Sequence, residues 1–255
     1  MKDQLLKKRL QNNELTIGSW ITIGHPAIPE ILATAGFDWL TIDIEHNSID
    51  PLMVQVLIST IQSKNIAALV RVSKNEEVVI KHVLDAGADG VIVPMVNTRE
   101  DAMKAVEYVK YPPVGKRGVG LSRAQNYGVG FEEYKSWLDN KVVIVAQIEH
   151  IDGVNNLESI ISTPGIDAVI VGPYDLSGSL GSPGDYEKKE VQEALLQLEK
   201  ICSENNFPMG FHVVEPKFEL LDAKIKRGYN FIAFGTDFLF MMRKVQTEIE
   251  RLKNK

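Results

Sequence analysis

Short apolar runs rich in β-branched residues recur along this chain, separated by stretches whose apolar positions repeat at helical spacing. The runs at 15–23, 37–44, 66–72, 90–93, 142–148, 166–171, 207–213 and 231–234 predict strands, those at 142–148 and 166–171 buried on both faces. Helical spacing at 29–35, 51–64, 76–86, 98–110, 131–138, 151–161, 187–205, 217–226 and 237–252 predicts the elements between and after them, with a charged amphipathic helix over 1–14 in front. Local punctuation agrees. Gly36 and Gly87 follow helical stretches, Thr98 and Asp101 make a capping-box-like start, and Pro164-Gly165 breaks the pattern ahead of the sixth strand. Eight strands alternating with helices predict an α/β protein: one (β/α)8 barrel domain over 1–255, with 1–14 as its N-terminal helix and 236–255 as its C-terminal helix.

The pattern lapses twice. Residues 111–130 carry five glycines and two prolines with no apolar period, and a stretch of that length predicts a functional lid or a contact surface. Residues 177–186 (SGSLGSPGDY) predict a second glycine-rich loop, whose backbone N–H groups could face an anion or simply build a turn.

Parallel α/β folds keep their chemistry at the C-terminal ends of the strands, so the polar residues closing each run are the candidates. They are Trp20, Asp43, Glu45, His46, Arg71, Gln147, Glu149, Gly172, Asp175 and His212. Glu149 and Asp175, with Gln147 near, make an oxygen-rich set suited to a hard cation such as Mg2+ or Mn2+; the alternative is a pair of helix N-caps. There is no HExxH motif and no cysteine pair for a closed zinc site. Arg71 ends an apolar run and requires a partner, either Asp43 in an ion pair or a substrate carboxylate or enolate oxygen, and both can hold. Asp43 and His46 share one strand exit, where a carboxylate can orient an imidazole; a structural histidine is the other option. His25, His82 and His150 have weaker claims.

Composition narrows the picture. The length of 255 residues, with 44% hydrophobic and 24% charged content, suits one barrel. The net charge of −6, with basic residues scattered, offers nothing to a nucleic acid but leaves room for a small anion. The single cysteine, Cys202, excludes a disulfide within the chain. No stretch approaches the roughly 18 apolar residues of a membrane span, and 1–14 has no apolar signal-like run, so a cytoplasmic protein is expected.

The segments DWLTIDIEHNSID, LVRV, LDAGADGVIVPMV, YPPVGKRGVGLSRAQNYG, QIEHIDGVNN and GIDAVIVGPYDLSGSLG, in this order and spacing, resemble the HpcH/HpaI aldolase family of class II pyruvate-dependent aldolases. The resemblance runs from Gly18 to Gly235. It implies a hexamer of (β/α)8 barrels with the C-terminal helix exchanged between partners. It implies a divalent metal ion (Mg2+, Mn2+ or Co2+) held by Glu149 and Asp175, and contact of Arg71 with pyruvate. It further implies proton transfer by His46 with Asp43, and a substrate pocket lined by Gln147, Gly172, Pro173 and Trp20.

The activity so implied is reversible cleavage of a 4-hydroxy-2-oxo acid, possibly a diacid, to pyruvate and a small aldehyde. Its rivals are a CoA-thioester lyase of the citrate lyase β-subunit type and a non-catalytic oxo-acid-binding barrel. For the nucleotide of a CoA ester the sequence offers only Lys116, Arg117 and Arg123, which could equally hold the far end of a dicarboxylate. A Schiff-base mechanism lacks its lysine: no predicted strand ends on one, and Lys74 lies three residues past Arg71 in a polar turn. Three positions depart from the family pattern: Ser73, His150 and His212.

Overall fold

The structure, a computed structural model, describes residues 6–254. Eight parallel strands close a barrel in sequence order, β1 pairing with both β2 and β8. They are β1 (Thr16–Ile21), β2 (Trp39–Asp43), β3 (Ala67–Arg71), β4 (Gly90–Val93), β5 (Val143–Ile148), β6 (Ala168–Val171), β7 (Met209–Val213) and β8 (Phe231–Thr236). Around them run α1 (Leu6–Gln11), α2 (Ala27–Ala33), α3 (Pro51–Ser63), α4 (Glu77–Asp85), α5 (Arg99–Val109) and α6 (Phe131–Asn140). Next come α7 (Ile151–Asn155), α8 (Leu157–Ile161), α9 (Pro173–Ser179), α10 (Lys189–Glu204), α11 (Phe218–Lys226) and α12 (Asp237–Lys253). Of the helix expected over 1–14, residues 1–5 lie outside the described residues, and residue 255 lies outside likewise.

Successive side chains of a strand point to opposite faces, and here one face looks into the lumen and the other under the helices. Leu40, Ile42, Val70, Ile144, Val169, Phe211 and Val213 belong to the outer core with the helices. Trp20, Trp39, Leu69, Ile92, Val145, Ile170, Phe231 and Ala233 fill the lumen, closed below by Leu6 and Leu10 of α1. The packing is tight: Trp39 stacks on Phe231 with ring centres 4.3 Å apart, and a Cβ on Gly18 would lie 2.1 Å from the Trp39 ring. The lumen is therefore a filled core, and only its upper layer is free to carry polar groups.

The expected capping box is formed, with Thr98 Oγ1 accepting from the Asp101 amide at 3.1 Å and Asp101 accepting from the Thr98 amide at 3.1 Å. Three expectations are corrected. The helix over 151–161 is two helices broken at Asn156, whose side-chain Nδ2 donates to the Asn97 carbonyl at 2.9 Å. The loop expected to begin at 177 begins later, because Ser177, Gly178 and Ser179 are the last turn of α9; its N–H groups are spent internally, as from Gly184 to Ser177 Oγ at 2.9 Å and from Ser182 to the Ser177 carbonyl, also at 2.9 Å.

The third correction concerns 111–130. It connects a helix to the following strand, so it returns the chain to the strand N-terminal side and cannot be a lid over its own barrel mouth. Arg117 is buried there against Asp85 at 2.5 Å and the Tyr134 hydroxyl at 3.0 Å. Arg123 donates to the Ala86 carbonyl at 2.8 Å and to Gln62 at 3.1 Å. A 3-10 segment at Arg123–Gly128 gives this connection some order, and it leaves Val119, Leu121 and Val129 exposed.

Candidate active site

β2 and β3 pair so that Asp43 and Arg71 are neighbours in register at the C-terminal rim. Arg71 donates through Nε to Asp43 Oδ1 at 2.9 Å and through Nη2 to Oδ2 at 2.8 Å, a two-pronged pair that fixes the guanidinium plane. Its remaining Nη1 lies 3.2 Å from Glu45 Oε2, and its central carbon sits 4.4 Å from the centre of the Trp20 ring. Burial works to raise the Asp43 pKa, but the hydrogen bonds and charge of Arg71 outweigh it and hold the carboxyl below its ordinary value. The structural ion pair is therefore formed, and it leaves a pre-oriented cation at the mouth.

The expected Asp43–His46 pairing is not formed. Asp43 is buried, and its oxygens are taken by Arg71, the Glu45 amide at 3.1 Å and the Asn47 side chain at 2.5 Å. His46 lies past the strand with its side chain 60% exposed, and its Nε2 is 3.6 Å from Glu45 Oε2. Glu45 is thus the carboxylate beside the imidazole. Burial pushes its pKa up to about 7, with Arg71 opposing and the charges of Glu149, Asp43 and Asp175 reinforcing. Its Oε2 is buried without a hydrogen-bond partner among the described residues. The sequence placed Glu45 at this exit but carried no signal for its role.

Glu149 follows β5 and is buried; Oε1 accepts from the Met95 amide at 2.7 Å, and Oε2 accepts from the Gln147 side chain. Gly172, at the end of β6, is there for space: a Cβ would lie 2.8 Å from Glu149 Oε2 and 3.0 Å from Glu149 Cβ. Pro173 opens α9, and Asp175 stands exposed in its first turn. Burial raises the Glu149 pKa, and the negative charge of Asp175 adds to it while Arg71 opposes. The N-cap alternative for these two residues fails, because the caps of α7 and α9 are His150 and Gly172.

A divalent cation fits this donor set. Two carboxylates that repel one another converge at the mouth, one of them oriented by an amide and a side-chain donor. Among the described residues no group of three or more histidine, cysteine, aspartate or glutamate side chains could close around a metal. A hard cation held here would take carboxylate oxygens from Glu149 and Asp175 and would draw its remaining ligands from water and substrate.

The basic residues of the long connection do not join the site, since Arg117 and Arg123 are tied to the opposite side of the barrel and Lys116 pairs with Glu107 at 2.7 Å. His212, expected at the rim as a departure from the family pattern, lies on the lumen face of β7 between the outward-facing Phe211 and Val213, with its ring centre 5.3 Å from that of Trp20.

The model of the HpcH/HpaI aldolase/citrate lyase family matches residues 16–243. The chain is 33% identical over 237 residues to a hydroxypyruvate/pyruvate aldolase of Roseobacter denitrificans, covering 92% of each chain. It is 35% identical over 233 residues to a 5-keto-4-deoxy-D-glucarate aldolase of Klebsiella pneumoniae, covering 91% of this chain and 90% of that one. Among solved structures, an HpcH/HpaI aldolase/citrate lyase family protein from Burkholderia cenocepacia superposes with a TM-score of 0.92 at 30% identity, over 97% of this chain and 98% of the other.

Proposed function

Because the chain belongs to the HpcH/HpaI aldolase/citrate lyase family, we propose that the mouth of its barrel catalyses the reversible aldol cleavage of a 4-hydroxy-2-oxo acid to pyruvate and an aldehyde. The observation that carries this reading is the juxtaposition, on one rim, of an arginine locked by Asp43 and the carboxylate pair Glu149 and Asp175.

Glu149 and Asp175 would hold a divalent ion, Mg2+, Mn2+ or Co2+, which when bound supplies Lewis-acid stabilisation of charge at the 2-oxo oxygen. Arg71 binds the pyruvyl unit and stabilises the negative charge that gathers on the 2-oxo oxygen as the C3–C4 bond breaks. Asp43 keeps Arg71 in that orientation. His46, exposed at the mouth, takes the proton of the C4 hydroxyl, directly or through water, while C3 of the departing pyruvyl unit takes up a proton from solvent; both transfers run backwards in the condensation. Glu45 is the carboxylate placed to support the imidazolium form of His46. Gln147 and Gly172 set the position of Glu149, and Pro173 and Trp20 wall the pocket.

The same reading takes residues 1–255 as one domain of a cytoplasmic homo-oligomer. α12 presents Phe238, Met241, Val245, Ile249 and Leu252 to solvent, an apolar face that suits cover by a second copy, with the hexamer and helix exchange of the family as the expected form. No helix among the described residues is long and apolar enough to cross a membrane. The CoA-thioester alternative gains nothing from the structure, since its only candidate basic residues lie away from the mouth.

The test is release of pyruvate from simple 4-hydroxy-2-oxo acids, with malyl-CoA and citryl-CoA as comparison substrates, before and after removal of metal. Turnover of the oxo acids that disappears in EDTA and returns with Mg2+ or Mn2+ supports the proposal. Undiminished activity in EDTA, or turnover of the CoA esters alone, overturns it.

A further inference from the structure

Two nitrogens in the upper layer of the lumen have no hydrogen-bond partner among the described residues: Trp20 Nε1 and His212 Nε2. Buried polar atoms are nearly always paired, and one left unpaired costs about 1–3 kcal/mol. The two rings are neighbours, with centres 5.3 Å apart, since β8 runs between β1 and β7 and presents only the small residues Ala233 and Gly235 there. Arg71 lies against the Trp20 ring and its charge acts on His212, so the two rings stand near the cation assigned to the pyruvyl unit.

Their chemistry is complementary. An indole N–H can only donate. His212 is held neutral: burial, helped by the charge of Arg71, pushes its pKa down to about 3. In the tautomer that carries its proton on Nδ1, the ring directs that N–H to the Gly235 carbonyl, whose influence favours a proton there. The neutral ring then has its lone pair on the other nitrogen, Nε2, which can only accept. A donor and an acceptor are thus carried by two adjacent rings, each without a hydrogen-bond partner. A hydroxyl group both donates and accepts, so one hydroxyl satisfies both, whereas a methyl group satisfies neither.

We propose that Trp20 and His212 form a recognition site for a substrate hydroxyl, which donates to His212 Nε2 and accepts from Trp20 Nε1–H, next to the carbon at which the new bond is made. The inference rests on the aldolase reading for the kind of substrate and deepens it: the preferred substrates carry a hydroxyl that simple pyruvate and simple aldehydes lack. His212 keeps some exposure at the mouth while Nε2 is covered, so the hydroxyl enters by parting the two rings. The hydroxyl can belong to the 2-oxo acid or to the aldehyde, and both are tested.

The experiment compares kcat/KM for hydroxypyruvate and pyruvate with one aldehyde, and for glycolaldehyde and acetaldehyde with pyruvate. It uses the metal-loaded wild type, His212→Leu, His212→Gln and Trp20→Phe, with circular dichroism as the folding check. The expected result is a drop of about tenfold or more in the hydroxylated-to-plain ratio for His212→Leu and Trp20→Phe in one of the two arms, with partial recovery in His212→Gln, which keeps an acceptor. The arm that responds identifies the half of the substrate that bears the hydroxyl. Equal loss for all substrates, or unchanged ratios in both arms, overturns the proposal and leaves these nitrogens to a structural water. Calorimetric binding of hydroxypyruvate and pyruvate to the same proteins separates the two readings. If no pair of substrates turns over but His212→Leu still loses its preference for hydroxypyruvate, the aldolase assignment fails and the hydroxyl site stands; if the binding preference is unchanged, the hydroxyl site fails as well.

Discussion

Replacing Arg71 by alanine removes the ion-pair partner of a buried carboxylate, and the consequences can be worked from the geometry. The Asp43 side chain is 3% exposed and that of Arg71 14%, so the pair is shielded from water. Breaking a buried pair from one side typically costs about 3–5 kcal/mol. At roughly 2–4 °C per kcal/mol for a chain of this size, the metal-free variant should melt about 6–20 °C below wild type near neutral pH. In the wild type the folded-state pKa of Asp43 is depressed, so the stability it contributes is present above its unfolded value of about 3.9 and is lost as pH falls through the lower folded value. In Arg71→Ala the burial that already works to raise this pKa loses its main opposition, and only the weaker Glu45 amide bond and the charge of His46 still act against it. The folded value then lies above the unfolded one, and the penalty is full at high pH and relieved as pH falls through it. The gap between wild type and variant should therefore narrow from pH 8 towards pH 5, and Glu45, already pushed up to about 7, adds to the narrowing. Asp43→Asn in the Arg71→Ala background removes the stranded charge and should recover much of the loss at pH 7. Thermal melts in chelator across that pH range test the reasoning, and a gap independent of pH with no recovery in the double variant would refute it.

Oxaloacetate loses CO2 to give the same pyruvate enolate with no C4 hydroxyl to deprotonate. Arg71→Ala should therefore slow both aldol cleavage and decarboxylation by about 10²-fold or more, while His46→Ala slows aldol cleavage by about 10²–10⁴-fold and spares much of the decarboxylation. Equal losses in His46→Ala would assign that residue to binding. Glu149→Ala and Asp175→Ala should each lose bound Mn2+ in equilibrium dialysis along with turnover; retention of metal by either variant would remove it from the ligand set. Gly172→Ala places a Cβ 2.8 Å from Glu149 Oε2 and should weaken Mn2+ binding about tenfold or more with little change in melting temperature, so unchanged affinity would show that Glu149 has another way to reach the ion. The intact protein should sediment as an oligomer, and Met241→Glu with Val245→Glu on the exposed face of α12 should dissociate it; a wild-type monomer at micromolar concentration would count against the assembly.

The fold was legible because each of its cues is local. Short β-branched apolar runs, helical spacing between them, the Thr98–Asp101 box and the glycines after helices are short-range consequences of backbone geometry, and they located eight strands with boundaries a few residues wide of the observed ones. Parallel closure then carried Asp43, Arg71, Gln147, Glu149 and His212 to one rim, which is why their candidacy could be read from the ends of the runs. α9 was missed because Ser177, Gly178 and Ser179 read as loop on propensity, while Leu176, buried beneath the helix, holds it through packing that no local pattern shows. What the tertiary structure decided was partnership. Asp43 had two neighbours to choose from, and strand register gave it to Arg71, leaving His46 to Glu45. Parity of the connections sent Arg117 and Arg123 to the far side of the barrel. Trp20 and His212 lie near opposite ends of the chain and meet only because the barrel closes β8 between β1 and β7. Periodicity along the chain specifies which way a side chain faces; which group it faces is set by closure and register, and those arise only when every strand is paired.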